Sequence, residues 1–270
     1  MPTKISRKKL QAILDQLYDS YLQDFQQSPS KFFINRKDPL AFAHRYTEFH
    51  DVEAAAFLAA TFAYGKVQSL CAFVEKLLAM LGRSPYQFLR QGPDAVDTLA
   101  PNGPYYRLHK TPEILGLLSM LATVYQKHGS LYDLFLKSYD HHSTMTESIQ
   151  RFVATLYEVH GSAIPFLLPS PESGSPCKRL NLFLRWMVRR DGLDLGIWKE
   201  VSPADLMIPL DTHIGRVSFQ LGWIKTPSLS WKKAEEVTAV LRQFNPEDPI
   251  RYDFSLCHES IDRKLNWDHR

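Results

Sequence analysis

Apolar positions recur at helical spacing along most of the chain. Residues 6 to 26 carry Leu10, Ile13, Leu17 and Leu22 at intervals that predict an amphipathic helix. Ser28 to Asp38 reads as a loop with two aromatics, Phe32 and Phe33, and Pro39 opens a short helix towards Phe49. Asp51 is expected to cap the most apolar segment, Val52 to Tyr64, which Gly65 ends. Val67 to Leu81 predicts another helix. Residues 82 to 112 are punctuated by eight Gly and Pro residues, so short helices are expected there. Thr111 to Lys127 and Ser130 to Tyr139 read as helices, and Thr144 with Glu147 makes a capping box for a helix reaching about His160. Residues 161 to 176, rich in Pro, Ser and Gly, form the clearest internal boundary. Leu229 to Phe244 and Pro246 to Ile261 give the last helices, and no stretch sustains strand alternation. The expected fold class is all-α. A middle lobe covers approximately residues 39–160 and a second lobe residues 161–261, with residues 1–38 packing on the second.

Two short pieces stand out between residues 171 and 222. In Gly174-Ser175-Pro176-Cys177-Lys178, Ser175 is a suitable N-cap and Pro176 suits the first helical position, where a missing N–H costs nothing. Leu180, Phe183, Leu184, Met187 and Val188 then form an apolar face, while Lys178, Asn181, Arg185 and Arg189 lie opposite. Lys178 thus falls in a first turn beside Arg179, where the positive end of the helix dipole favours the neutral, nucleophilic amine. A solvated surface lysine is the plain alternative. In Pro209-Leu210-Asp211-Thr212-His213, Asp211 or Thr212 caps a helix whose buried face is Ile214, Val217 and Leu221, closed by Gly222. A capping aspartate is the plain reading there.

Taken together, these pieces resemble the helix-hairpin-helix DNA glycosylases of the endonuclease III superfamily. That family runs Gly-x-Gly-x-Lys before its second hairpin helix, then Val-Asp-Thr-His-x-x-Arg. Lys178 and Asp211 match the family's catalytic lysine and aspartate, and Gly174 matches the first hairpin glycine. Pro176 stands at the second and has no N–H to offer a phosphate. The spacing between the two pieces is closer to the archaeal-type 8-oxoguanine glycosylases. The resemblance covers residues 171 to 222 well and extends weakly to about 261. It implies two helical lobes with a DNA-facing cleft and a double-stranded DNA partner carrying a damaged base. Gly174, Ser175, Arg179, Arg185 and Arg216 would contact the DNA. Asp253 loosely matches a base-reading carboxylate, though an ordinary carboxylate at a helix start is the simpler reading. Trp186 and Trp223 are candidate base-stacking aromatics, with core packing the alternative.

Charge adds to this picture only locally. A net charge of +3 over 270 residues is mildly basic, but Lys178 to Lys233 holds ten Lys or Arg against five Asp or Glu. Tyr105-Tyr106-Arg107 can stack bases or form a local packing cluster. The cysteines Cys71, Cys177 and Cys257 are too few for an iron–sulfur cluster and too scattered for a disulfide framework, which points to a reducing cytoplasm. Cys177, one residue before Lys178, is either a reactive thiol or a packed small residue. No signal peptide is visible, and the longest apolar run, Ala54 to Tyr64, falls short of the roughly 20 residues a bilayer demands.

The expected activity is that of a monomeric DNA glycosylase and lyase needing no cofactor, with Lys178 as nucleophile and Asp211 as charge-stabilising carboxylate. Two alternatives remain. One is a non-catalytic helical DNA- or RNA-binding protein, which the missing second glycine favours. The other is a metal-dependent phosphohydrolase using His50-Asp51, His141-His142 and His258-Glu259.

Overall fold

A computed structural model describes residues 6–139 and 144–262. Thirteen α-helices occur among the described residues: α1 (Arg7–Gln27), α2 (Pro29–Arg36), α3 (Phe49–Thr61), α4 (Val67–Leu81), α5 (Pro85–Leu89), α6 (Pro93–Asp97), α7 (Thr111–Lys127), α8 (Leu131–Ser138), α9 (Met145–His160), α10 (Lys178–Val188), α11 (Thr212–Gln220), α12 (Trp231–Arg242) and α13 (Asp253–Asp262). The fold is all-α. The only extended pairing among the described residues is one isolated bridge, Tyr106 to His109. No described helix is long and apolar enough to cross a membrane.

The chain divides into two compact units, a terminal unit from Met1–Phe32 and Pro171–Arg270 and a central unit from Phe33–Ser170. In the central unit α3 is buried nearly all round. Ala54, Ala55, Ala56, Ala59 and Ala60 let neighbouring elements approach closely, and Phe57 and Leu58 fill the remaining space. Two carboxylates on this helix are also buried, and each serves a different helix start. Asp51 accepts the Ser84 hydroxyl at 2.8 Å and the Tyr86 N–H at 2.9 Å, at the head of α5. Glu53 accepts the Leu131 and Tyr132 N–H groups at 2.9 Å each, at the head of α8. Asp51 therefore does not cap its own helix. It lies inside the first turn of α3 and satisfies donors that α5 cannot satisfy itself.

In the terminal unit α13 packs on α1 and α11. Tyr21 donates its hydroxyl to Glu259 at 3.1 Å, and Tyr252 donates to Asp15 at 2.6 Å. The buried residues of α1 are Leu10, Leu14, Tyr21 and Phe25, so the face is rotated from the predicted one. Ser28 to Asp38 is not a loop throughout. Pro29 sits at the first position of α2, where it is tolerated, and Phe32 and Phe33 are buried. Phe32 stacks on Phe254 of α13 with ring centroids 5.4 Å apart.

Candidate active site

The site is built at two helix starts in the terminal unit. α10 begins at Lys178, two residues later than Ser175 and Pro176 suggest. The residue before it, Cys177, occupies the left-handed region at φ 47°. Ser175 accepts the Cys177 N–H at 3.2 Å, and Asn181 donates its side-chain amide to the Pro176 carbonyl at 3.1 Å. These bonds occupy the turn's own polar groups. Gly174 has φ 73° with open space where a Cβ would lie, so its backbone conformation, not crowding, calls for glycine. Its carbonyl accepts the Trp231 N–H at 2.9 Å, which ties the turn to the head of α12.

Asp211 arrives on extended chain. Ile208, Pro209 and Leu210 are buried, and the Ile208 N–H is held by the Thr238 hydroxyl at 3.1 Å. Asp211 is the N-cap of α11. Its Oδ1 accepts the His213 and Ile214 N–H groups at 2.9 and 3.0 Å. Its other oxygen, Oδ2, faces Lys178 Nζ at 3.8 Å. One carboxylate oxygen thus fixes the group while the other meets the amine. The separation is a charge contact, longer than a hydrogen bond. Both side chains keep access to solvent, with exposures of 31% for Lys178 and 19% for Asp211.

Three other predicted site residues are corrected. Arg185 does not offer its guanidinium to a phosphate. It is 3% exposed, shares both oxygens of Asp194, and donates to Asp253 at 2.5 Å. Asp253 is spent on the same pair and is 3% exposed, so it does not face a base. Trp186 is 1% exposed and belongs to the core. Trp223 is half-buried beside Phe244, with ring centroids 6.2 Å apart. Arg179 is partly exposed, next to Lys178. Arg216 is exposed and anchored on α13 by bonds to the Ser260 carbonyl and hydroxyl at 2.9 and 2.8 Å.

Sequence reasoning missed the rest of the buried charge cluster. Arg189 bonds Asp248 at 3.0 Å and also pairs with Asp191 and Asp194. The available signal was two arginines one turn apart with Asp191 and Asp194 just past the helix end. Burial pushes the Asp253 carboxyl up to about 6, although the Arg185 charge pulls it back; Asp211 and Asp194 push it further. Against that same desolvation, Asp194 and Asp253 hold the Arg185 guanidinium above its ordinary value. The basic excess from Lys178 to Lys233 survives the correction, because the two buried arginines are offset by Asp191 and Asp194 in the same stretch.

Cys177 is fully buried, and burial pushes its thiol up to about 12, so it is a packed residue. No group of three or more His, Cys, Asp or Glu suited to a metal gathers among the described residues. His50 stacks on Tyr86 at 4.2 Å, and His258 packs on Phe254 at 4.3 Å. His141 and His142 lie outside the described residues.

A family described as a protein of unknown function, DUF2400, matches residues 38–262. The match covers most of the chain, which belongs to that family. No curated protein and no solved structure matches it.

Proposed function

We propose that this member of the DUF2400 family is a DNA glycosylase with associated lyase activity, acting on an oxidised purine such as 8-oxoguanine in double-stranded DNA. The observation that carries the reading is the 3.8 Å approach of Lys178 to the pinned carboxylate of Asp211. The lesion class comes from the sequence resemblance alone.

The chemistry asks for a flipped nucleotide, since a stacked base hides its glycosidic bond. The Lys178 amine attacks the sugar carbon C1′ through its nitrogen lone pair. The bond to the base breaks, and the base leaves with the electron pair and takes up a proton. The amine loses a proton, which Asp211 is placed to accept. The sugar ring then opens to a protonated imine. Loss of a C2′ proton expels the 3′ phosphate, and the strand is cut. Asp211 in its charged form also stabilises the cationic sugar as the base departs. Arg179 and Arg216, both accessible and close in sequence to the reacting pair, are suited to hold phosphates.

Borohydride trapping on a panel of lesion-bearing duplexes is the test. A covalent adduct with at least one lesion, lost in Lys178→Gln, supports the reading. Duplex binding with no adduct on any lesion removes it and leaves a non-catalytic nucleic-acid-binding protein. One observation favours that second reading: Pro176 has no N–H, and its carbonyl is taken by Asn181.

A further inference from the structure

Two cations on one face of α10 each meet an aspartate at the start of another helix. Lys178 and Arg185 are seven residues apart, about two helical turns, so they share that face. Lys178 Nζ faces Oδ2 of Asp211, the N-cap of α11. Arg185 Nη1 donates to Asp253, the first residue of α13, at 2.5 Å. Asn181, on the same face, is buried and donates its side-chain amide to the Pro176 carbonyl, which fastens the turn before Lys178 to the helix. α11 and α13 are joined in their turn. They pack together, Arg216 donates to the Ser260 carbonyl and hydroxyl at 2.9 and 2.8 Å, and the Ser260 hydroxyl donates to the His213 carbonyl at 3.5 Å.

The polar joints therefore close a ring. Arg185 and Asp253 join α10 to α13, Ser260 joins α13 to α11, and Asp211 with Lys178 joins α11 back to α10. The joints differ in strength. Arg185 and Asp253 are buried and hydrogen-bonded. Lys178 and Asp211 stand 3.8 Å apart with access to solvent. An accessible ion pair contributes little and does not hold two helices in place. The gap at Lys178 is thus a consequence of the other joints. Asp253 also lies within electrostatic reach of the site. Burial pushes its carboxyl up, Arg185 pulls it back, and the charge of Asp211 pushes it further. A buried ion pair gains little over apolar packing, and its best-attested use is to fix the register between elements.

We infer that Arg185 and Asp253 are positioning residues that set the gap between Lys178 and Asp211. Neither reaches the reacting atoms; each acts through its helix. The gap is short enough for the carboxylate to attract the amine and too long to bind it in a hydrogen bond. A small movement then brings the amine to a reacting carbon or its proton to Asp211. What the gap serves rests on the glycosylase reading, whereas its control by the buried pair does not.

Zero-length crosslinking of the full chain with a water-soluble carbodiimide, read by peptide mass spectrometry, tests this without DNA. The wild type should link Lys178 to Asp211. The Lys233–Glu236 contact within α12, at 2.6 Å, serves as internal standard. Asp253→Ala leaves Arg185 paired with Asp194 and releases α13. It should lower the Lys178–Asp211 link about 10- to 100-fold against the standard, as a misplacement of about 1 Å does to reacting groups. Asp253→Asn keeps an oxygen for Arg185 and should keep the link, which a general need for charge or stability would not predict. Circular dichroism checks that each variant is folded. If Asp253→Ala does not fold, Arg185→Lys carries the same test, because its single ammonium cannot replace the planar fork that spans Asp194 and Asp253. An undiminished link in the folded variant overturns the inference. So does a wild type that links Lys233 to Glu236 but never Lys178 to Asp211. The glycosylase reading fails separately, by the absence of a borohydride adduct in the wild type.

Discussion

Arg185 of α10 and Asp253 of α13 meet at 2.5 Å inside the terminal unit, with neither side chain more than 5% exposed. The pair fastens the helix that begins at Lys178 to the helix that packs on the one begun by Asp211. With Asp194 on its other side, Arg185 joins three pieces of chain through one guanidinium.

Breaking that junction should cost stability rather than phosphate contact. Arg185→Met leaves Asp194 and Asp253 buried, with Asp253 losing its bonded cation. Loss of one partner from a buried pair typically costs about 3–5 kcal/mol. A lower urea midpoint is the expected outcome. Arg179→Glu, on a partly exposed side chain, should instead cost far less in midpoint and weaken duplex binding. An Arg185→Met protein as stable as wild type would refute the role given to the pair.

Asp253 should also leave a mark on the pH dependence. Its carboxyl titrates at about 6 in the fold, against about 3.9 in an unfolded chain. Because the folded value is the higher one, the fold binds this proton more tightly. The resulting stabilisation is fully present below the unfolded value and is lost as pH rises through about 6. Thermal melts from pH 4 to 8 should show wild type losing ground to Asp253→Asn over that window. Parallel pH curves for the two proteins would mean the group does not titrate there.

The helices that periodicity located best are those bounded by strong local signals. Val67 to Leu81 sits between Gly65 and Gly82, and Thr144 with Glu147 forms the reciprocal cap expected of that pair. The N-cap role of Asp211 was legible for the same reason, since its bonds reach only to His213 and Ile214. What was not legible depended on distant partners. Arg185 lies opposite the apolar face of α10, and its acceptors are nine and 68 positions away. A face opposite the apolar stripe is solvated only if no other element covers it. The start of α13 was misplaced likewise. Asn245 accepts the Glu247 and Asp248 N–H groups and holds a turn there, and Pro249 disfavours helix at the residue before it, so the helix waits until Asp253.

Cys177 gives a prediction free of any assumption about DNA. Its thiol is buried and pushed up to about 12, so the reactive thiolate is scarce at pH 8. Iodoacetamide should modify it only after unfolding. Peptide mass spectrometry after native and denatured labelling reads this directly. Rapid native labelling of Cys177 would mean that the turn before Lys178 opens readily.

The sharpest prediction sets Lys178 and Asp211 against each other. Lys178→Gln removes the amine but keeps a helix-compatible side chain at the start of α10. It should abolish both the borohydride adduct and the coupled strand cut. Asp211→Asn retains a side-chain oxygen able to accept the His213 and Ile214 N–H groups, so the cap and the fold should survive. It removes the negative charge that faces Lys178 Nζ. Loss of one electrostatic partner of a charged transition state typically slows reaction by about 100- to 1000-fold. Binding to lesion-bearing duplex should hold or tighten, because a charge that repels phosphates is gone. The two variants therefore fail differently: no adduct in one, a slow adduct with tight binding in the other. Trapping by Lys178→Gln at the wild-type rate would place the nucleophile elsewhere. Equal and complete loss of DNA binding in both variants would instead make the pair a fold contact, with no part in the chemistry.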